Sequence, residues 1–216
     1  MKLDCLDIQE KIIKGNDMNY FQIWIGNKPS QNIQNCMLSV LNKLTSADTY
    51  TLIASRTWSF LDAYPVILIK YEDFIDSMFK DDPKIKEFWD FLPEDIKFHW
   101  IRADVIRYYF LSKNKNFLYL DTDITLKQVP ILQDHVYFSI YRQELLDCNI
   151  LYNGNDTNFF NNFFQGVLRF YLQDIKSNQF KKRNLNKSWA FIYFNKKQIR
   201  DKVFRIDRSC YEHGIN

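Results

Sequence analysis

A short apolar run that leads directly into two aspartates constrains this chain more than any other feature of its 216 residues. Residues 117–120 read Phe-Leu-Tyr-Leu, a composition typical of a buried strand, and Asp121-Thr122-Asp123 follows at once. In open α/β sheets, ligands bind beyond the carboxyl ends of strands. The sequence therefore predicts a buried strand that ends at a ligand site, here named the D-x-D motif.

Strand-like and helix-like segments alternate along the rest of the chain. A predicted helix over 93–112 places Ile101 and Val105 on one apolar face, with Asp104 and Arg107 on a neighbouring stripe. This alternation predicts an α/β sandwich, and the chain length fits a single domain. Residues 1–19 are expected to form a helical N-terminal extension. Strands are predicted at 20–25, 50–54, 117–120, 136–140 and 149–152, helices at 31–44, 93–112 and 158–172, short helices within 58–93, and a connecting segment at 124–132.

Composition and charge exclude several classes of protein. The net charge of +3 is too small for the basic face that nucleic-acid binding requires, so no nucleic-acid partner is expected. The four cysteines form no C-x-x-C pair, which favours free thiols in a reducing compartment, and no apolar run reaches membrane-spanning length. A cytoplasmic location follows. The basic run at 181–183 is interpreted as a solvated face, or as a contact for anionic acceptors or a membrane surface.

The aspartates of the D-x-D motif suit a hard cation. Two carboxylates at a strand end can hold Mg²⁺ or Mn²⁺, and the cation can also bind phosphate oxygens. Taken alone, the tripeptide equally fits a solvated turn. The upstream helix adds weight, because Asp104 and Arg107 are three residues apart and share a helix face. Arg107 can bond sugar or diphosphate oxygens and Asp104 can accept bonds from hydroxyls, whereas the alternative is a surface ion pair worth ~0.2–0.5 kcal/mol.

Three motifs in this order resemble a known family. The stretch at 103–111 reads Ala-Asp-Val-Ile-Arg-Tyr-Tyr-Phe-Leu, and Asn-Phe-Leu-Tyr-Leu-Asp-Thr-Asp follows at 116–123. Together with Phe-Gln-Ile-Trp-Ile-Gly at 21–26, they resemble the sugar-binding region containing the DXD motif of family 32 glycosyltransferases. That family is distantly similar to the glucosylating domains of large clostridial toxins. The resemblance spans roughly 20–155 and implies one GT-A-type, Rossmann-like α/β/α domain.

The resemblance also implies a role for each matching residue. Trp24 would lie against the nucleotide base, and Asp104 and Arg107 would bind the ribose or the transferred sugar. Tyr119 would line the pocket, although core packing is an equally open reading of this residue. Asp121 would contact the sugar or ribose and, through water, the metal ion. Asp123 would be the direct ligand of Mn²⁺ or Mg²⁺.

The chain departs from the family pattern at two places. Paired glycines that usually precede the strand are replaced by Asn116 and Phe117, which is expected to remove backbone freedom at that turn. The family also carries a late histidine, or a Ser-Trp element, that completes the metal and phosphate site. His213 is the candidate third metal ligand here, with a solvated terminal histidine as the alternative, and Ser188 with Trp189 is a second candidate remnant.

The resulting hypothesis is a metal-dependent glycosyltransferase. It would transfer a hexose from a nucleotide sugar, with UDP as the expected nucleotide, to a hydroxyl of a saccharide or protein acceptor. The resemblance implies retention of anomeric configuration. Two alternatives stay open. One is a non-catalytic module that binds nucleotide sugars. The other is a nucleotidyltransferase, which would release pyrophosphate and normally needs a phosphate-cradling glycine loop or another carboxylate-bearing strand, neither of which is evident in this sequence.

Overall fold

The computed structural model describes residues 18–92, 99–141, 145–176 and 202–213. Helices and strands alternate through these ranges, as the sequence predicts. The strands are β1 (Asn19–Trp24), β2 (Thr49–Ala54), β3 (Val66–Lys70), β4 (Phe117–Leu120), β5 (Ile124–Leu126), β6 (Tyr137–Tyr141), β7 (Leu145–Tyr152), β8 (Phe204–Arg205) and β9 (Tyr211–His213). The helices are α1 (Gln31–Leu41), α2 (Tyr71–Asp81), α3 (Pro83–Phe91), α4 (His99–Lys113) and α5 (Thr157–Lys176).

A central sheet runs through the described residues in the order β3-β2-β1-β4-β7-β6-β8, and β5 and β9 form a separate pair. β1 is parallel to both β2 and β4, and β3 is parallel to β2. β7 is antiparallel to both β4 and β6. Because the first four strands are parallel, their carboxyl ends share one edge of the sheet. The D-x-D motif follows β4 at that edge.

Helices cover both faces of the sheet, which confirms the expected α/β/α sandwich. Alternate residues of a strand point to opposite faces. Phe21 and Tyr119 accordingly pack in the core beneath α2 to α5. Leu118 and Leu120 pack in a second core with α1 and the β5–β9 pair. Phe110 of α4 stacks on Phe21 with ring centroids 4.2 Å apart, so aromatic contacts join helix to sheet.

α4 is the central helix of the larger core. Every residue from Ile101 to Ser112 except Ala103 is buried, including the charged side chains of Asp104 and Arg107. The helix is enclosed because it packs against α5 on one side and β1 on the other. The sequence periodicity identified the helix and its apolar face. The neighbouring Asp-Arg stripe is not a surface ion pair, because α5 and the sheet exclude it from solvent.

Four strands lie where the sequence predicted none, namely β3, β5, β8 and β9. β3 occupies a region predicted to hold only short helices, and α2 begins at the residue after it, which obscured the boundary. β5 was predicted as part of a connecting segment. It is extended because it pairs antiparallel with β9, with Ile124 opposite His213. Because β9 is far from β5 in the sequence, no local sequence pattern predicts β5.

Several predicted segments fall partly outside the described residues. Asn19 begins β1, so the expected extension at 1–19 was wrong at its end, and residues 1–17 lie outside the described residues. The basic run at 181–183, together with Ser188 and Trp189, also lies outside them. Of the described helices, none is both long and apolar enough to cross a bilayer.

The turn before β4 is tight, although Asn116 and Phe117 stand where the resemblance led us to expect paired glycines. Asn116 has a φ of 56°, in the left-handed region that glycine favours and that asparagine tolerates better than most residues. Its N–H donates to the Gly154 carbonyl at 2.6 Å. The buried Asn153 accepts from the Phe117 N–H at 2.9 Å and donates to the Leu111 carbonyl at 2.9 Å. Asn116 therefore adopts the left-handed conformation at this turn, and the expected loss of backbone freedom relative to glycine stays a prediction.

Candidate functional site

The backbone of Asp121 is held by hydrogen bonds from three directions. Its N–H donates to the Asn149 carbonyl on β7 at 2.8 Å, and its carbonyl accepts from the Ile124 N–H at 3.1 Å within the turn. The same carbonyl accepts from Nε2 of Gln22 on β1 at 3.2 Å. Gln22 is fully buried, and its Oε1 accepts from the Tyr50 hydroxyl at 2.5 Å. The D-x-D motif is thus anchored to both strands that flank β4.

Arg107 joins the predicted site residues of α4 and β4. Its guanidinium lies 2.5 Å from Oδ1 of Asp104 and 3.1 Å from Oδ1 of Asp121. Nη1 also donates to the backbone carbonyl of Cys148 at 2.7 Å. The guanidinium carbon lies 4.7 Å from the centre of the Tyr119 ring, and the Tyr119 hydroxyl donates to Oδ1 of Asp121. The four predicted residues Asp104, Arg107, Tyr119 and Asp121 therefore meet in one cluster.

Burial and neighbouring charges shift the pKa values of Arg107 and Asp121 in this cluster. Burial opposes the charge of Arg107, but the carboxylates of Asp104 and Asp121 outweigh it and raise the pKa of the guanidinium well above its ordinary value. Burial raises the pKa of Asp121 to about 7; Arg107 lowers it, and the neighbouring Asp123 carboxylate raises it. The Asp121 side chain is still 24% exposed. A group of positive charge on its open side would therefore be stabilised there.

Asp123 lies next to the β5–β9 pair, which carries His213. Asp123 is half-buried and immediately precedes β5, in which Ile124 pairs with His213 of β9. Nε2 of His213 lies 2.9 Å from Nδ2 of Asn149, the residue whose carbonyl holds the Asp121 N–H. The tertiary structure thus brings the late histidine to the motif, as the sequence hypothesis requires. Its role as a ligand stays a prediction.

The donor atoms at this edge suit a cation that is shared with a phosphate-bearing ligand. Among the described residues, no group of three or more His, Cys, Asp and Glu side chains is arranged to enclose a metal ion. Mg²⁺ in nucleotide sites is typically held by one or two carboxylates together with substrate phosphates and water. Asp123 and the exposed side of Asp121 can supply the one or two carboxylates that this kind of Mg²⁺ site requires.

Trp24 lies at the carboxyl end of β1, three residues beyond the point where Phe21 pairs with Tyr119 of β4. Its indole N–H donates to the carbonyl of Asn27 in the following loop at 2.6 Å. The ring is half-buried and packs at the margin of the core under α1. The structure places Trp24 at the same sheet edge as the D-x-D motif and outside the Arg107 cluster.

Sequence reasoning missed three contributors to the site. Gln22 and Asn149 hold the Asp121 backbone, and Cys148 offers its carbonyl to Arg107. A buried glutamine in an otherwise apolar strand is a signal that could have identified Gln22, because buried polar groups need partners. A backbone carbonyl leaves no such signal, since every residue has one.

Comparison of the sequence with known protein families and with curated proteins found no match. The structure is similar to that of the PaToxG glycosyltransferase, with 13% identity over 82% of this chain and 68% of that chain and a TM-score of 0.59. It is also similar to the apo form of the glycosyltransferase GlyE of Streptococcus pneumoniae TIGR4, at 10% identity, 89% and 46% coverage and a TM-score of 0.48. The galactosyltransferase LgtC, solved with donor and acceptor sugar analogs, gives 13% identity, 87% and 73% coverage and a TM-score of 0.47.

The likeness to PaToxG bears on architecture. The match to PaToxG confirms the GT-A-type, Rossmann-like α/β fold that the sequence predicts for a single domain. The chain spans less than half the length of GlyE. At such low identities the shared property is the fold, and chemistry has to be argued from the site itself.

Proposed function

We propose that this chain is a divalent-metal-dependent glycosyltransferase. It transfers a hexose from a nucleotide sugar, with UDP as the nucleotide, to a hydroxyl of a saccharide or protein acceptor, with retention of anomeric configuration. One observation carries the proposal: Asp104, Arg107, Tyr119 and Asp121 converge beside the D-x-D turn, at the carboxyl edge of a GT-A-type sheet. A ligand that bears both hydroxyls and phosphates matches this mixture of carboxylates and guanidinium.

Arg107 is proposed to act on the sugar end of the donor. Asp104 was expected to contact the sugar, but its side chain is 3% exposed, so its proposed role is to hold the Arg107 guanidinium in place. The guanidinium is fixed by Asp104, Asp121 and the Cys148 carbonyl, so its direction is set before any substrate binds. Such preorganisation favours stabilisation of charge that develops on the leaving diphosphate. Trp24, at the end of β1, would lie against the base, and Tyr119 would support Arg107 from beneath.

Asp123 is the proposed direct metal ligand, and Asp121 is proposed to act through water. In the described residues His213 does not enclose a metal ion with these two aspartates, so its expected role as a third ligand rests on the resemblance. A bound Mg²⁺ or Mn²⁺ supplies positive charge that stabilises a departing diphosphate. The fold contributes the rigid turn: Gln22 and Asn149 hold the Asp121 backbone from neighbouring strands, which keeps Asp123 at the sheet edge.

In the proposed reaction, the bond between the anomeric carbon and the diphosphate oxygen breaks, and the electron pair leaves with the nucleoside diphosphate. The acceptor oxygen forms the new bond to the anomeric carbon. The acceptor proton passes to the departing diphosphate, so an enzymic base is not needed. Glycosyl transfer of this kind develops oxocarbenium character, which places the greatest demand on charge stabilisation beside the leaving group.

A thermal-shift screen of UDP- and GDP-sugars, with and without Mn²⁺, tests the class. We expect a rise in Tm that needs both nucleotide sugar and metal, followed by slow Mn²⁺-dependent hydrolysis that releases a nucleoside diphosphate. Asp123→Asn should abolish the metal-dependent part, whereas Asp76→Asn, on the exposed side of α2, should leave it unchanged.

The outcomes separate the alternatives. Full metal-dependent activity in Asp123→Asn would show that the metal role is wrong. Binding without any turnover would favour a non-catalytic nucleotide-sugar module. Release of pyrophosphate instead of a nucleoside diphosphate would favour a nucleotidyltransferase.

A further inference from the structure

A polar pocket adjoins the D-x-D motif on the α1 side of the sheet. Its volume is about 760 Å³, which lies within the range of small-molecule sites. One wall is the exposed face of α1, where Asn32 and Asn35 lie one turn apart. The opposite wall is the β5–β9 pair, through Thr125, Glu212 and His213.

The pocket begins within reach of the proposed reaction centre. Thr125 lies two residues beyond Asp123 along the chain, or about 7 Å at the rise of an extended strand. His213 lines the pocket and is paired with Ile124, the residue that follows Asp123. A ligand in the pocket would therefore end beside the metal-binding turn, across that turn from the Arg107 cluster.

The lining favours a ligand rich in hydroxyl groups. Asn32, Asn35 and Thr125 can each both donate and accept hydrogen bonds. Lys127 and Glu212 form an ion pair at 2.6 Å, and the exposed Arg208 adds a further, positively charged donor to the lining. Tyr211, the one aromatic side chain of the lining, is 4% exposed. A protein-binding surface would need exposed apolar or aromatic anchors, which this lining lacks.

We propose that this pocket, named here the α1 pocket, binds the acceptor and that the acceptor is a saccharide. The inference rests on the proposed function and narrows its acceptor class from saccharide or protein to saccharide. The acceptor hydroxyl enters past His213 and attacks the anomeric carbon of the donor, with the bonds and proton moving as described above. Asn32 and Asn35 are binding residues that orient the acceptor ring and do not contact the donor.

The double variant Asn32→Ala/Asn35→Ala tests the assignment. Both side chains are exposed on α1, so the fold should be retained. Loss of their hydrogen bonds should raise the acceptor KM about tenfold or more. The donor KM and the rate of nucleotide-sugar hydrolysis should stay within about twofold, because the Arg107 cluster is untouched. Asn161→Ala/Asn162→Ala is the matched control, since it removes an exposed asparagine pair from α5.

The measurement uses the purified full chain, a UDP-hexose donor with Mn²⁺, and a panel of common mono- and disaccharides. Titration of the same saccharides by NMR without donor gives an independent reading of acceptor binding. The inference is overturned if the acceptor KM is unchanged in the variant, if the donor KM rises instead, or if peptides accept the hexose and no saccharide does. Absence of donor binding and hydrolysis in the unmodified chain would instead refute the proposed function, so the two failures are distinguishable.

Discussion

Replacement of Arg107 by methionine tests the central cluster without assuming any activity. Methionine fills much of the same volume but removes the charge that lies 2.5 Å from Asp104 and 3.1 Å from Asp121. The Asp104 side chain is 3% exposed, so water cannot replace the lost partner. The Cys148 carbonyl also loses its donor. The variant should therefore be much less stable than the unmodified chain.

The magnitude follows from burial. Removal of one partner of a buried ion pair typically costs about 3–5 kcal/mol, because the remaining charge stays buried and loses the attraction of its opposite charge. Asp104→Asn leaves Arg107 paired with Asp121 and bonded to Cys148, so it should cost about 1–3 kcal/mol. The double variant removes both charges of the pair. Its cost should fall below the sum of the two single costs by about 0.5–3 kcal/mol.

Urea unfolding of the metal-free chain, followed by far-UV circular dichroism and tryptophan fluorescence, measures these free energies of unfolding. Arg56→Met is the control, because Arg56 is exposed and its replacement should change stability by no more than about 0.5 kcal/mol. The reasoning would be refuted if Arg107→Met cost less than Asp104→Asn. Strict additivity in the double variant would refute it as well.

Three further predictions concern the turns and the acidic motif. Gly154→Ala should cost about 1–3 kcal/mol, because φ is +49° and the new Cβ would lie 2.8 Å from Oδ1 of Asp134; an unchanged Tm would contradict this. Asn116→Gly should change the free energy of unfolding by less than about 1 kcal/mol, because glycine readily adopts the φ of 56° found there. A larger loss in urea unfolding would show that the asparagine side chain contributes more than its backbone conformation. The pKa of Asp121 is about 7 in the metal-free fold, above its unfolded value of ~4, so the folded state binds the proton more tightly. The free energy of unfolding of the unmodified chain, relative to that of Asp121→Asn, should therefore fall as pH rises between these two values. A difference that does not change with pH across this range would contradict the prediction.

The sequence alone determined the elements whose signals are local. Consecutive apolar residues at 117–120 predicted β4, and helical spacing upstream predicted α4, because both patterns come from neighbouring side chains meeting one core. The order of these elements placed the D-x-D motif at a sheet edge. Asp104 and Arg107 were expected on one helix face, and the structure places them there, 2.5 Å apart, because three-residue spacing brings such side chains together in any helix.

Only the tertiary structure decided what those residues meet. Arg107 reaches Asp121 because β4 returns beside α4, and it reaches the Cys148 carbonyl because β7 pairs with β4. His213 arrives at the motif because β9 pairs with β5, two segments that are far apart in the chain. Burial of α4 from Ile101 to Ser112, except Ala103, likewise depends on packing against α5. These contacts depend on strand order and on backbone groups that every residue carries, so nothing in the local sequence could specify them.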